Sequence, residues 1–270
     1  QNALSGAATV NQIFFIVNQL ALSIGNALVA ICSQYWGKQE TGAIRKMTGV
    51  ALALSVLIAA IVVTACTCMP EQLLRIFTTS PEIIAEGKAY LGLLKWTFLL
   101  FMISNLLIAM LRSVETVKIS FVISVVSLLT NGCINYTLIF GHFGFPEMGI
   151  RGAAVGTLTA RMLELLIIVV YVWKIDTKVR LFDVNLIRIM FAPENRKIWR
   201  AFLKVAFPIM CSGMIWAISV PMQTAILGHL SADAIAANSV SSTFFQYLKV
   251  IVIAISSASA VVIGKDIGEG

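Results

Sequence analysis

Seven stretches of this chain are apolar over about 20 residues or more, and no other feature limits its fold as strongly. Hydrocarbon offers the backbone no hydrogen-bond partners, so a crossing segment must be a helix or part of a closed barrel. Runs of this length are read as helices. They cover about Ala7–Tyr35, Ala43–Cys68, Pro81–Leu111, Thr116–Phe140, Gly149–Trp173, Trp199–Leu227 and Ala232–Ile263. Charged residues make up only 12% of the chain, where a soluble domain carries about 25%. An all-α, polytopic membrane protein is therefore expected.

The loops give the orientation. Pro70 closes the second span, and Glu71–Phe77 reads as a short interfacial piece. Pro81 suits the first turn of the next helix. Gly144, Pro146 and Gly149 mark Gly141–Gly149 as a turn. The first, third and fifth connections hold eleven Lys and Arg residues, against two in the second, fourth and sixth. Basic loops stay in the cytoplasm, which places residue 1 outside and accounts for the net charge of +7 without invoking nucleic acid. In the fifth connection, Leu181, Phe182, Leu186, Ile189 and Met190 predict an amphipathic face lying on the anionic leaflet.

The first span returns at the far end of the chain. At an offset of 230, Ala7 falls on Ala237, Val10 on Val240, Phe14 on Phe244, Phe15 on Phe245 and Ala30 on Ala260; with one extra residue Gly37 falls on Gly268. Gln12, Gln19, Asn26 and Ser33 stand seven apart in the first copy, as do Ser242, Lys249 and Ser256 in the second. Seven residues is nearly two turns, so each set forms one narrow stripe. Both copies run from outside to inside, the arrangement of parallel repeats. By symmetry the chain is expected to be a fragment of a longer protein. Residues 1–174 would form most of a first lobe (helices two to six, helix one missing). Residues 175–197 would be a cytoplasmic loop, and 198–270 the start of a second lobe.

Polar side chains within spans mark candidate chemistry. Gln12, Gln19 and Asn26, beside Asn11 and Asn18, serve either as interhelical hydrogen-bond partners or as the wall of an aqueous cavity. Lys249 replaces Gln19 in the second copy and is assigned to that cavity, while Lys95 is a second lysine well inside a span. Arg161 and Glu164 are placed to pair at i, i+3, either as an internal salt bridge or with Glu164 as a titrating carboxylate. Asn131 and Asn135 share a face at i, i+4. Pro208 and Pro221 each remove a hydrogen bond from the sixth span and are expected to let it bend.

Other chemistries lack their signatures. The five cysteines lie in apolar runs and read as small packing residues. His142 and His229 are far apart and suggest no metal site. No phosphate-binding G-x-x-x-x-G-K-[ST], H-E-x-x-H or G-x-S-x-G occurs. An enzyme, a cofactor and an ATP motor are not expected.

Several motifs carry a resemblance. They are Ser33-Gln34-Tyr35-Trp36-Gly37-Lys38, Asn131-x-x-x-Asn135-Tyr136-x-Leu138-Ile139-Phe140-Gly141, Gly144-Phe145-Pro146-Glu147-Met148-Gly149, Gly152-Ala153-Ala154, Ala160-Arg161-x-x-Glu164 and Ile226-Leu227-Gly228-His229-Leu230. Together they resemble the multidrug and toxic compound extrusion transporters. The resemblance implies twelve helices in two lobes and an outward-opening cavity, with Gln34, Asn131 and Asn135 among its polar positions. It also implies export of amphipathic, often cationic, small molecules in exchange for H⁺ or Na⁺, by a monomer in the plasma (inner) membrane. Counting eight residues on from Pro208 reaches Trp216, where some members carry an acid. A lipid-linked oligosaccharide flippase of related architecture is the alternative. A seven-helix receptor fits the span count but not the repeat.

Overall fold

The computed structural model describes residues 2–78, 80–186, 189, 195–228 and 232–270, with side chains described for all of these except 2–4, 221, 224–228 and 232–240. Among the described residues, seven helices are long and apolar enough to cross a membrane. They are α1 (Asn2–Gly37), α2 (Thr41–Cys68), α4 (Pro81–Ser113), α5 (Lys118–Phe140), α6 (Ile150–Lys174), α7 (Arg196–Gly228) and α8 (Ala232–Glu269). The short α3 (Pro70–Arg75) lies where the interfacial piece was expected. The protein is thus a multi-pass, all-α membrane protein.

α4 is the central post. Over half of its apolar window is buried (56%), against 6% in α5 and in α8. α1, α2 and α6 pack around it, α5 packs on α6, and α7 and α8 lie against α1. α1 and α4 run parallel and close. Asn105 Nδ2 donates to the Ala21 carbonyl at 2.9 Å, and Phe14 stacks on Phe98 with centroids 5.9 Å apart. One core joins Ile24, Leu28, Met102, Leu106, Met110 and Phe202, and a second, nearer α3, joins Val10, Leu74, Leu91 and Phe98.

The alternate connections gather at one end, as the charge pattern requires. Trp36 Nε1 donates to Glu115 Oε2 at 3.2 Å. Lys178 Nζ donates to the Val114 carbonyl at 2.7 Å, and Arg45 Nε to the Val179 carbonyl at 2.6 Å. At the other end the turn before α6 is built on Gly141, whose φ of 69° closes α5 in the left-handed region that glycine enters without strain.

Two expectations change. The stretch after α6 contains a 3-10 turn, Leu181–Asp183, and there Leu181, Leu186 and Ile189 turn inward and do not form a face lying on the leaflet. Leu181 is fully buried, and the side chains of Leu186 and Ile189 sit over Gly49 of α2. The hollow left by Gly49 draws these apolar side chains onto the bundle and away from the leaflet. Met190 lies outside the described residues. Lys95 is the second correction. Its Nζ donates to Thr67 Oγ1 at 2.9 Å, one residue before the end of α2. The lysine stem runs toward the end of α2, so its ammonium reaches the span edge by snorkelling.

Candidate functional site

The two repeat-related helices meet at the end that carries the basic loops. A Cβ on Gly37 would collide with the Lys265 carbonyl, and a Cβ on Gly268 with the Gln34 carbonyl. Each glycine thus faces the residue three positions before the other, as two parallel helices related by a twofold axis along their length would. Gly264 packs on the Ser33 hydroxyl, and Val29, Ala109 and Val261 form a small apolar cluster one step further in. Side chains bind the crossing together. Lys265 Nζ pairs with Glu115 Oε1 at 3.1 Å, and Lys178 lies over the Trp36 ring with Nζ 5.4 Å from its centroid. The hydrogen bond from Trp36 and then the Lys265 ammonium hold the Glu115 carboxyl below the usual carboxylate range.

Further along, α7 comes between α1 and α8. Gly213 packs on Ser23 Oγ and the Gln19 carbonyl. Phe15 of α1 lies 5.5 Å from Trp216 of α7, centroid to centroid, and Lys249 of α8 sets its Nζ 3.6 Å from the same Trp216 ring. The amide stripe of α1 belongs to this face. Gln19 stands where α7 meets α1, and Gln34 and Ser33 stand where α8 does. Gln12, Asn26 and Gln34 are exposed, with Gln19 half-buried. The seam between α1 and the α7–α8 pair is therefore lined by amides, two aromatic rings and one ammonium. Pro208 is exposed within the unbroken helical run of α7. Pro221 lies in the same run, with its side chain outside the described residues.

The remaining candidates sit inside the first bundle. Arg161 Nη1 reaches Glu164 Oε2 at 2.6 Å, and Ser104 Oγ donates to Glu164 Oε1 at 2.6 Å. Ser127 Oγ adds a longer bond of 3.4 Å, and the guanidinium lies over Phe101 at 4.6 Å. Glu164 is only 5% exposed and fully partnered. Nearby, between α5 and α6, Asn131 Nδ2 donates to Thr157 Oγ1 at 3.3 Å, and Asn135 Nδ2 to Asn131 Oδ1 at 3.1 Å. Asn135 Oδ1 is buried with no partner and presses on Gly156. Thr157, Glu115 and Lys265 escape sequence reading because each owes its place to a partner on another helix, and Trp216 stands there only as a position without an acid.

Known proteins resemble this chain in sequence and fold. A family model described as MatE matches residues 1–137. Probable multidrug resistance proteins NorM from Rhizobium meliloti and Thermotoga maritima are each 26% identical over 99% of the chain, and the chain spans 56% of either relative. A solved structure titled as the outward-facing conformation of a multidrug resistance MATE family transporter of the MOP superfamily superposes with a TM-score of 0.88. It covers all of this chain, at 18% identity, and 58% of its own is matched. A MATE crystal structure in the bent conformation superposes equally well, with a TM-score of 0.88 at 19% identity.

Proposed function

The chain belongs to the MatE family, and from that premise we propose that it forms part of a secondary active antiporter exporting amphipathic small molecules. Two lobes rock about the seam between α1 and the α7–α8 pair. The reciprocal crossing of Gly37 and Gly268 is the observation that carries this reading. It brings two repeat-related helices together at the basic, cytoplasmic end while α7 separates them further out. A transporter closed on the inside would hold its two lobes together in this way. The work assigned to the chain is non-covalent, so no catalytic residue is needed.

The substrate wall consists of Gln12, Gln19, Asn26 and Gln34 on one side and Lys249 on the other. Amides hydrogen-bond varied ligands without demanding one charge, and Phe15 with Trp216 supplies apolar contact. Pro208 and Pro221 lower the cost of bending α7. Coupling to H⁺ or Na⁺ is assigned to the first bundle. There Asn131, Asn135 and Thr157 offer neutral oxygens to a cation, beside the closed Arg161–Glu164 pair.

Cells lacking their own drug exporters, expressing the gene that encodes this chain, provide the test. Export of a dye should stop when an ionophore collapses the ion gradient. Export that persists without a gradient, or that follows ATP, contradicts the proposal.

A further inference from the structure

A cation within a membrane-spanning helix must be compensated by an acid, by water or by a ligand. The interior of the first bundle compensates its own: Arg161 has Glu164. The seam does not. Lys249 has the Trp216 ring and, among the described residues, no carboxylate in ion-pair reach. A ring face offers partial compensation, about 0.5–2 kcal/mol. Arg112 of α4 also points into the seam, where its Nη1 donates to Ser257 of α8 at 3.4 Å. Its Nε is buried and donates to nothing. Again no described acid pairs with it, because Glu115, three residues on, is engaged by Lys265 and Trp36. Lys249 and Ser257 are eight residues apart on α8, a rise of about 12 Å. Among the described residues, two cations without an acid thus stand at two depths of one seam, with Phe15 and Trp216 beside the outer one and neutral amides opposite.

We infer that the seam selects amphipathic organic anions, an acidic group pairing with Lys249 or Arg112 while an aromatic or apolar body lies against Trp216 and Phe15. This rests on the transporter reading of the same seam and narrows its substrate class. A cationic amphiphile would find the rings but would face an ammonium and a guanidinium, which repel it.

Two probes of nearly equal shape and opposite charge, 2-naphthoate and 2-naphthylmethylammonium, test this. Their equilibrium binding is measured to the protein in nanodiscs of phosphatidylcholine. The expected result is naphthoate binding about tenfold or more tighter, the effect of a charge-assisted hydrogen bond gained against a repulsion. Lys249→Gln and Arg112→Gln should each weaken naphthoate by about tenfold and leave the ammonium probe unchanged or tighter, while Lys249→Arg keeps the preference. If Arg112→Gln fails to fold, the two Lys249 variants decide. Equal affinities, tighter binding of the ammonium probe, binding of neither probe, or naphthoate binding unmoved by Lys249→Gln would each overturn the inference. Repeating the titration with phosphatidylglycerol separates a soluble anion from a lipid headgroup. Unchanged affinity supports the former, and loss of naphthoate binding means that lipid holds the site and overturns it. Gradient-driven export of a cationic dye by a protein that rejects naphthoate would remove this inference and leave the transporter proposal standing. Naphthoate binding without gradient-driven export of any probe would do the reverse.

Discussion

The two charged regions of the molecule are built in opposite ways. Inside the first bundle, Arg161 is paired with Glu164, which is closed in turn by Ser104 and Ser127 and 5% exposed. Along the seam, Lys249 and Arg112 carry the same charge with a ring or a serine and, among the described residues, no acid. A paired, buried group adds little net stability, yet removing one member is expensive. An unpaired cation costs stability as it stands, and the natural reason to keep one is a ligand that completes it. The contrast separates charge that holds the bundle from charge that waits for a partner.

The same contrast runs along α1 and α8. Their glycine crossing is symmetric, Gly37 against Lys265 and Gly268 against Gln34. Their polar stripes differ, with Lys249 standing where α1 has Gln19. On the proposed reading, the shared positions form the hinge and the differing one sets selectivity.

The largest effect is expected in the interior. Glu164→Ala leaves Arg161 without its partner and should cost about 3 kcal/mol, read as a drop in thermal unfolding temperature. Glu164→Gln, which keeps a hydrogen-bond acceptor, should cost less. Neither should change the preference between the two naphthyl probes, and a changed preference would erase the distinction between interior and seam.

Next comes the crossing. Gly37→Val or Gly268→Val drives a side chain into backbone of the other helix, at about 1–3 kcal/mol of overpacking. Export should fall, and a cysteine at Ser33 should become reactive to thiol reagents added from the cytoplasmic side. Gly92→Val, where nothing lies within 4 Å, is the control and should leave both readouts near wild type.

The smallest effect concerns Glu115. Its carboxyl is held below the usual range by Trp36 and Lys265, with Lys178 also near and Arg112 three residues away. A lowered folded-state value contributes stability that is present above the ordinary carboxylate pKa and lost as pH falls through the lowered one. Glu115→Gln should therefore lower thermal stability slightly at neutral pH, by well under about 1 kcal/mol for so exposed a pair. The difference from wild type should vanish in acid. A difference that grows as pH falls would show that the pair does not hold the crossing.

Much of this was legible beforehand, for identifiable reasons. Spans follow from hydrophobic length, and the Arg161–Glu164 and Asn131–Asn135 pairs from helical spacing alone, so both are found hydrogen-bonded. The stripe of α1 is likewise a matter of period. Partners brought in by packing were hidden. Arg112 counts by sequence as one more basic residue at a span end; only the approach of α8 places it beside Ser257. Trp216 reads as a missing acid until α7 sets it between Phe15 and Lys249. Glu115 and Lys265 are 150 residues apart.

The most direct test is a reversible lock on the crossing. In a background without the native cysteines, Ser33→Cys and Gly264→Cys, whose Cβ atoms stand in near contact at the crossing, are introduced together and oxidised. Rocking of two lobes about the seam predicts that the disulfide forms, that gradient-driven export stops while it is closed, and that a reducing agent restores it. A fully crosslinked protein that exports at the uncrosslinked rate would contradict the account.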